Sequence, residues 1–301
     1  VNPSAQVNQP TSQVVCNGDA TTAISFTTNN TVGATSYTWT NSNPAIGLLG
    51  TGTGNIASFT ATNNGTSPIV ATIIVTPSFT NAGVTCTGSS KTFPITVNPP
   101  AQVTQPANVD VCNGQLTTVT YATVNTGGTT TYSWTNSLPA IGLAASGTGN
   151  ILFTAVNNGT VPIVATIVVT PTFTNNAVNC TGPTKTYTIT VNPSAQVNQP
   201  ASQVVCNGDP TTAISFSTNN TGGSTTYNWV NNNTSIGLAA IGTGDINSFT
   251  AINNGTVPVI AIITVTPSFI NGGTNCTGAT KTFTITVNPN AQVNQPANRV
   301  V

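Results

Sequence analysis

The chain has 301 residues, with four basic and four acidic side chains, no His and a formal net charge of zero. Only 3% of the residues are charged, against about 25% in ordinary soluble domains. This balance supplies no basic patch for nucleic acid, and the absence of His and Glu removes the commonest proton carriers of catalysis. We therefore expect no enzyme, no nucleic-acid partner and no cofactor.

The apolar residues, 38% of the chain, fall into short regular runs of the kind that folded β-proteins have and disordered segments lack. No run approaches the roughly 20 apolar residues of a membrane-spanning helix. The sequence therefore predicts a folded chain without a membrane span in this segment.

The tripeptide Val-Asn-Pro recurs along the chain at intervals of 96, 94 and 96 residues. A period of about 95 residues is long enough for an independent core, unlike the repeats of about 20 to 50 residues that stack into solenoids. The expected divisions are the end of a preceding module (1–3), module 1 (4–99), module 2 (100–193), module 3 (194–289) and the start of a fourth module (290–301). The chain is thus expected to come from a longer array.

The first half of module 1 reads as short alternating strands. Ile24 and Phe26 share one strand face, and Tyr37 and Trp39 share another. Residues 57–61 continue the alternation, with Ala57, Phe59 and Ala61 on one face. A period of two residues is the signature of a strand.

The second half of module 1 begins with Asn64-Gly65, a pair that predicts a tight hairpin turn because both positions tolerate positive φ. The longest strand follows, with Ala71, Ile73 and Val75 on one face. The last strand runs from Lys91 to Val97, with Phe93, Ile95 and Val97 facing inward. Pro94 within it predicts an edge strand or a locally unpaired position.

These patterns predict an all-β protein built of tandem two-sheet sandwiches. Each module has six or seven expected strands in about 95 residues, and β-branched residues occupy the periodic segments in place of a helical stripe. Prolines at the junctions, such as Pro193 and Pro200, restrict bending, and no Gly/Ser spacer separates the modules. We expect a rod-like array.

Each module contains two cysteines, 70, 68 and 70 residues apart. An even count at a constant interval favours one disulfide within each module, in an oxidising compartment. The alternative is that the thiols are buried and free. The expected pairs are Cys16 with Cys86, Cys112 with Cys180, and Cys206 with Cys276.

A Tyr-x-Trp motif occurs once in each module. Its two aromatic rings share a strand face, and a tryptophan at this point suits the centre of a sandwich core. The alternative is an exposed platform on which sugars stack. We favour core positions for Tyr37, Trp39, Tyr132, Trp134, Tyr227 and Trp229.

The Asn-Gly-Asp turns ending at Asp19 and Asp209 are the best candidates for a metal site. A single carboxylate with amides binds calcium weakly, and module 2 has Gln115 in place of the Asp. A turn held by its own side chains is the simpler interpretation, so we expect no metal, while weak calcium binding stays open.

Taken together, the Tyr-x-Trp motif, the Cys-Asn-Gly and Cys-Thr-Gly turns and the closing Thr-Ile-Thr-Val-Asn-Pro at 188–193 and 284–289 resemble a known family. They are similar to the PKD-like, immunoglobulin-like repeats of giant secreted surface proteins of Bacteroidota. The sequence departs from the PKD pattern by having Asn41-Ser42-Asn43 where Gly-Asp-Gly would follow the Trp. Cys16 also precedes the second strand, so its bond should staple loops at the rim of the sandwich.

The resemblance implies export by the type IX route and a place outside the cell, at its surface, in adhesins. We expect the array to be the structural shaft of such a fibre. A surface nearly free of charge also favours lateral association of identical chains. The alternative is that the modules themselves bind glycans or another cell through many weak contacts.

Overall fold

The computed structural model describes residues 1–296. The end of the expected fourth module, including Arg299, Val300 and Val301, lies outside the described residues. The described chain is almost entirely β-structure, and the same set of strands is repeated in modules 1, 2 and 3.

Module 1 contains one main sheet, in the order β1-β6-β4-β2-β3, with β5 also paired to β4. Strand β1 runs parallel to β6, and the other pairs are antiparallel. A short 3-10 helix at Pro44–Ile46 joins β2 to β3. The strands are β1 (Gln13–Cys16), β2 (Ala34–Asn41), β3 (Thr51–Thr53), β4 (Ile69–Asn81), β5 (Val84–Thr87) and β6 (Lys91–Asn98).

Modules 2 and 3 repeat this main sheet, each with a 3-10 helix at the same place, Pro139–Ile141 and Thr234–Ile236. Module 2 contains β7 (Val109–Cys112), β8 (Leu116–Val119), β9 (Thr129–Asn136), β10 (Ser146–Thr148), β11 (Ile151–Thr154), β12 (Ile163–Asn175), β13 (Val178–Thr181) and β14 (Lys185–Asn192). Module 3 contains β15 (Gln203–Cys206), β16 (Ser224–Asn231), β17 (Ile241–Thr243), β18 (Val259–Asn271), β19 (Thr274–Thr277) and β20 (Lys281–Asn288).

A second, smaller layer covers the inner face of each main sheet. In module 2 it is the antiparallel pair β8 and β11, and in modules 1 and 3 the same segments meet only at isolated bridges such as Ile24 with Ile56. A first strand that pairs parallel with the last, and a tryptophan on the strand after the second layer's first segment, are features of the immunoglobulin arrangement. The fold is therefore a tandem of immunoglobulin-like β-sandwiches, as the sequence predicts.

The second layer differs between modules because of matched insertions. Module 1 has four residues between Ile56 and Ala61, where module 2 has three between Ile151 and Ala155, and a further extra residue lies opposite, between Cys16 and Ile24. The Gln13 side chain bonds to both the N–H and the carbonyl of Thr22 beside this bulge, at 3.0 and 2.7 Å. The predicted alternation at 57–61 is consequently wrong in part, since Ala57 is exposed although Ala61 is fully buried.

The core follows the inward faces of the long strands. Ala71, Ile73 and Val75 have no exposed surface, and Phe93, Ile95 and Val97 are at most 2% exposed. The inward faces predicted for these two strands are therefore confirmed. The same positions form separate core clusters in the other two modules.

The hairpin prediction at Asn64-Gly65 is wrong. This segment carries the chain from the second layer to β4, and Gly65 is absent from the residues with positive φ in the described chain. The tight hairpin instead joins β4 to β5, where Ala82 and Gly83 have φ values of 48° and 79°. We attribute the error to the buried Asn63 side chain, which bonds to the carbonyls of Ser67 and Val97 and fixes a sheet-to-sheet crossing.

Pro94 lies in β6, between β1 and β4, so the edge-strand alternative is wrong. The pairing of β1 with β6 begins only at Ile95, which leaves position 94 unpaired on that side. In modules 2 and 3 the corresponding N–H groups, of Thr188 and Thr284, bond to the side chains of Asn108 and Ser202 at 3.0 Å. The locally unpaired alternative is therefore confirmed. Within residues 1–296, no helix has the length and apolar character to cross a membrane.

Candidate functional site at the module junctions

The six aromatic residues of the Tyr-x-Trp motifs lie on the inner face of the main sheets. The three tryptophans are each 7% exposed. A glycine on the neighbouring strand lies flat on each indole, so that a Cβ on Gly52 would come within 2.0 Å of the Trp39 ring. Tyr37, Tyr132 and Tyr227 pack on an aromatic ring of the second layer, with centroids 5.3 to 5.4 Å apart.

Module 2 has a buried hydroxyl pair that the sequence patterns did not single out. The hydroxyls of Tyr121 and Tyr187 are 2.9 Å apart, and the two side chains are 9% and 2% exposed. Burial raises the pKa of Tyr187, and the bond to Tyr121 raises it further. Modules 1 and 3 have phenylalanines at both positions, so the paired change from Phe to Tyr was the available signal.

The Asn-Gly-Asp turn of module 1 is held by the amide side chain of Asn17. Its Oδ1 accepts a hydrogen bond from the N–H of Asn63 at 2.7 Å, and the Asp19 backbone pairs with Ala61. In residues 1–296, no cluster of three or more His, Cys, Asp or Glu side chains is arranged to hold a metal ion. The turn's structural role is to anchor the crossing at Asn63.

The disulfides join neighbouring modules. Cys16 of module 1 is bonded to Cys180 of module 2, and Cys112 of module 2 is bonded to Cys276 of module 3. Both pairs have a Cα–Cα distance of 5.5 Å and a sequence separation of 164 residues. The expected pairing of the two cysteines within each module is therefore wrong, and within the described residues Cys86 and Cys206 have no disulfide partner.

The position of the strands explains this correction. Cys16 ends β1 beside Asn98, at the end of the sheet where β4 begins, whereas Cys86 in β5 pairs with Phe79 near the other end of β4. Ten residues of strand separate these ends, a distance of about 33 Å. A disulfide requires Cα atoms within about 7 Å, so the two cysteines of one module cannot meet.

Each junction has a second contact next to its disulfide. The asparagine of Val-Asn-Pro meets the asparagine that ends the long strand of the next module. Asn175 donates to Oδ1 of Asn98 at 2.9 Å, and Asn271 donates to Oδ1 of Asn192 at 2.8 Å. Asn98 and Asn192 have no exposed surface. At the start of the chain, Asn2 and Asn81 form the same pair.

A third contact lies away from the disulfide, between two loops. The N–H of Thr126 and the side chain of Asn125 both donate to the carbonyl of Thr66, at 2.9 and 3.3 Å. A Cβ added to Gly127 would come within 2.9 Å of Pro68, so the loops touch closely there. The same contacts recur between modules 2 and 3 at Thr160, Pro162, Asn220, Thr221 and Gly222.

The junction is thus the part of the molecule where repeated polar groups converge. It joins neighbours through the backbone, a disulfide, an asparagine pair and a loop contact. The sequence contained one signal for it. The asparagines of Val-Asn-Pro and of the long strand recur in every module, yet alternation patterns give no role to residues at strand ends.

Comparisons with known proteins give no family for this chain. No family model matches the sequence, and no curated protein matches it. Solved structures resemble it loosely. Three N-terminal domains of the bacteriophage RB49 Hoc capsid protein match at 11% identity and a TM-score of 0.39, covering 96% of this chain and 99% of that one.

Two further structures illustrate the same likeness. The I9-I11 tandem of titin matches at 12% identity and a TM-score of 0.32, covering 95% of this chain and 100% of that one. Immunoglobulin domains 1-5 of Sidekick-1 match at 11% and 0.34, covering 96% and 60%. With every score below 0.5, these likenesses carry no argument about function.

Proposed function

We propose that the chain is the structural repeat region of an extracellular bacterial surface fibre or adhesin, in which it acts as a stiff shaft. The modules are those bounded by 4–99, 100–193 and 194–289. The observation that carries the proposal is the disulfide between neighbouring modules at each described junction. A bond of this kind restrains the angle between modules, which a bond inside one module does not.

The stiffness follows from the spacing of the connections. A linker alone acts as a hinge, and a disulfide beside it leaves rotation about the axis that joins the two. The loop contact from Thr66 to Thr126 opposes that rotation, because it lies on different segments from Cys16 and Cys180. Modules held in this way transmit a pull along the fibre with little bending.

The place of the fibre is inferred from chemistry and resemblance. Disulfides persist in oxidising compartments, which favours a secreted protein. The Tyr-x-Trp and Val-Asn-Pro motifs resemble the repeats of Bacteroidota surface proteins that leave the cell by the type IX route. We therefore assign the shaft to the surface of such a cell, where it carries an adhesive part.

Lateral association of identical chains is part of the proposal. The outer face of the main sheet of module 3 exposes five apolar side chains on four neighbouring strands, and charged residues make up only 3% of the whole chain. Little repulsion then opposes contact between two such faces. The exposed side chains are Val204, Val230, Ile241, Ile260 and Ile262.

Small-angle X-ray scattering of matched variants tests the stiff shaft. The double variant Cys16→Ser/Cys112→Ser removes both junction disulfides, and Cys86→Ser/Cys206→Ser removes only the unbonded thiols. We expect the oxidised control to scatter as a rod on the order of 100 Å long. The junction variant should give a broader distribution of lengths. A control that scatters as a bent ensemble contradicts the proposal.

Glycan binding by the modules is the second candidate. Its support is an open groove of about 620 Å³ in module 2, lined by residues that include Tyr121, Tyr132, Thr148 and Asn150. Aromatic rings and hydroxyls are the groups that bind sugars. Binding on a glycan array that is lost in Tyr132→Ala would favour this candidate over a purely structural role.

A further inference from the structure

Cys86 and Cys206 occupy repeat positions that are bonded elsewhere in the same molecule. Cys206 ends β15, as Cys16 ends β1 and Cys112 ends β7, and both of those are in disulfides. Cys86 lies in β5, and its counterparts Cys180 and Cys276 are likewise bonded. Cys206 is exposed and Cys86 is half-buried. The two thiols are therefore complementary halves of one more junction of the observed kind.

The chain also carries a strand segment without the module on which it would pack. Residues 287–296 read Val-Asn-Pro-Asn-Ala-Gln-Val-Asn-Gln-Pro and match residues 1–10 at every position but Ser4. Val7 is 5% exposed against its own module, whereas Val293 is 92% exposed. Asn288, the counterpart of the buried Asn98 and Asn192, is likewise only half-buried.

We propose that module 3 of one copy joins head-to-tail to module 1 of a second copy of this chain. Residues 287–296 of the first copy replace residues 1–10 of the second, so that Asn288 takes the place of Asn2 beside Asn81 and Val293 takes the place of Val7. This exchange of nearly identical segments aligns Cys206 with Cys86 of the other copy. The inference rests on the shaft proposal and gives the shaft its partner.

The covalent step is an ordinary thiol–disulfide exchange with a small oxidised disulfide such as oxidised glutathione. The Cys86 thiolate first takes one glutathione, releasing the other as a thiol. The Cys206 thiolate of the partner copy then attacks the Cys86 sulfur, the new S–S bond forms and the second glutathione thiolate leaves. Two cysteine thiols are oxidised, one glutathione disulfide is reduced, and the two protons end on glutathione.

Mixing two single variants tests this junction. Cys86→Ser retains Cys206, and Cys206→Ser retains Cys86; neither substitution removes an intramolecular bond. In a glutathione redox buffer each variant alone should stay monomeric on a non-reducing gel, and the mixture should form a covalent dimer that reduction abolishes. Covalent dimers in either variant alone at the level of the mixture, or none in the mixture, overturn the inference.

The role of the exchanged segment has its own matched pair of variants. Val293→Asp, made in the Cys86→Ser chain, places a charge where an apolar slot is expected, and Gln292→Asp places it at the counterpart of the exposed Gln6. We expect dimer formation to be lost in the first and retained in the second. Equal dimer yields contradict strand exchange. If Cys16–Cys180 and Cys112–Cys276 are intact while no dimer forms, this inference fails and the shaft proposal stands.

Discussion

At the scale of single residues, the most informative positions are those where the modules differ. Tyr121 and Tyr187 replace two phenylalanines of the other modules and bond only to each other. A buried hydroxyl left without its partner costs about 1–3 kcal/mol, whereas removing both hydroxyls is nearly neutral. The pair is thus a polar alternative to the apolar packing of modules 1 and 3.

Single and double substitutions of this pair should behave very differently. We expect Tyr187→Phe alone to lower the free energy of unfolding of module 2 by about 1–3 kcal/mol, and Tyr121→Phe/Tyr187→Phe to restore most of it. Urea unfolding followed by tryptophan fluorescence measures both, with Tyr37→Phe as a control. Additive losses in the double variant would contradict a mutual hydroxyl bond.

The same pair predicts a dependence on alkaline pH. Burial raises the pKa of both Tyr121 and Tyr187 above the ordinary 10.0. The folded chain therefore holds these protons more tightly than the unfolded chain does. Their contribution is complete below pH 10 and is lost as the pH rises further.

The native protein should accordingly lose stability above pH 10 more steeply than the double phenylalanine variant. Thermal melts of both proteins across this range give the comparison. Parallel losses would assign the alkaline effect to other groups, such as the tyrosines of the Tyr-x-Trp motifs.

Residue patterns predicted the core well because burial follows alternation directly. Ala71, Ile73 and Val75 needed only their period of two residues. The glycine on Trp39 could not be predicted, because the cross-strand register that places Gly52 opposite the indole depends on pairing between β2 and β3. Such contacts between distant residues leave no local pattern.

At the scale of elements, the long hairpin of each module is the part that reaches its neighbour. Strands β12 and β13 carry Asn175 and Cys180 to the end of module 1, where Asn98 and Cys16 close the parallel pair β1 and β6. The alternation predicted these strands but not their partners across the junction. Turn chemistry misled at Asn64-Gly65 because a buried Asn63 decided the path there.

Removing the asparagine contact should weaken the junction without harming the core. Asn175→Ala loses the bonds to Asn98, at 2.9 and 3.3 Å, and leaves the Asn98 amide buried without this partner. We expect modules 1 and 2 to lose about 1–3 kcal/mol of stability. The exposed Asn158→Ala is the matched control and should be nearly neutral.

Calorimetry on the oxidised chain compares the two variants. A contribution from the junction appears as a lower melting temperature in Asn175→Ala only. Equal melting temperatures in Asn175→Ala and the native chain would show that the disulfide and the loop contact hold the junction without the asparagine pair.

At the scale of the whole molecule, the repeat makes the interlocked chain possible. Each disulfide closes a loop with a sequence separation of 164 residues and so spans most of two modules. In the chain-entropy model such a loop contributes on the order of 5 kcal/mol against the unfolded state. Because the loops overlap in module 2, its unfolding is restrained from both sides.

The repetition, the all-β fold and the array were predictable because period and alternation are written in the sequence. The pairing of the cysteines was not, since a constant interval of 70, 68 and 70 residues fits bonds within modules and between them equally well. Only the length of the sheet, about 33 Å between the two positions, decides between these pairings. That length depends on strand register, which the sequence does not state.

Tryptic digestion of the denatured, unreduced chain tests the interlocked array most directly. Cleavage after Lys91, Lys185 and Lys281 yields fragments 1–91, 92–185 and 186–281, each holding both cysteines of one module. With Cys16–Cys180 and Cys112–Cys276 in place, mass spectrometry should find the three fragments as one covalent species, which separates on reduction. Three separate fragments before reduction would contradict the account.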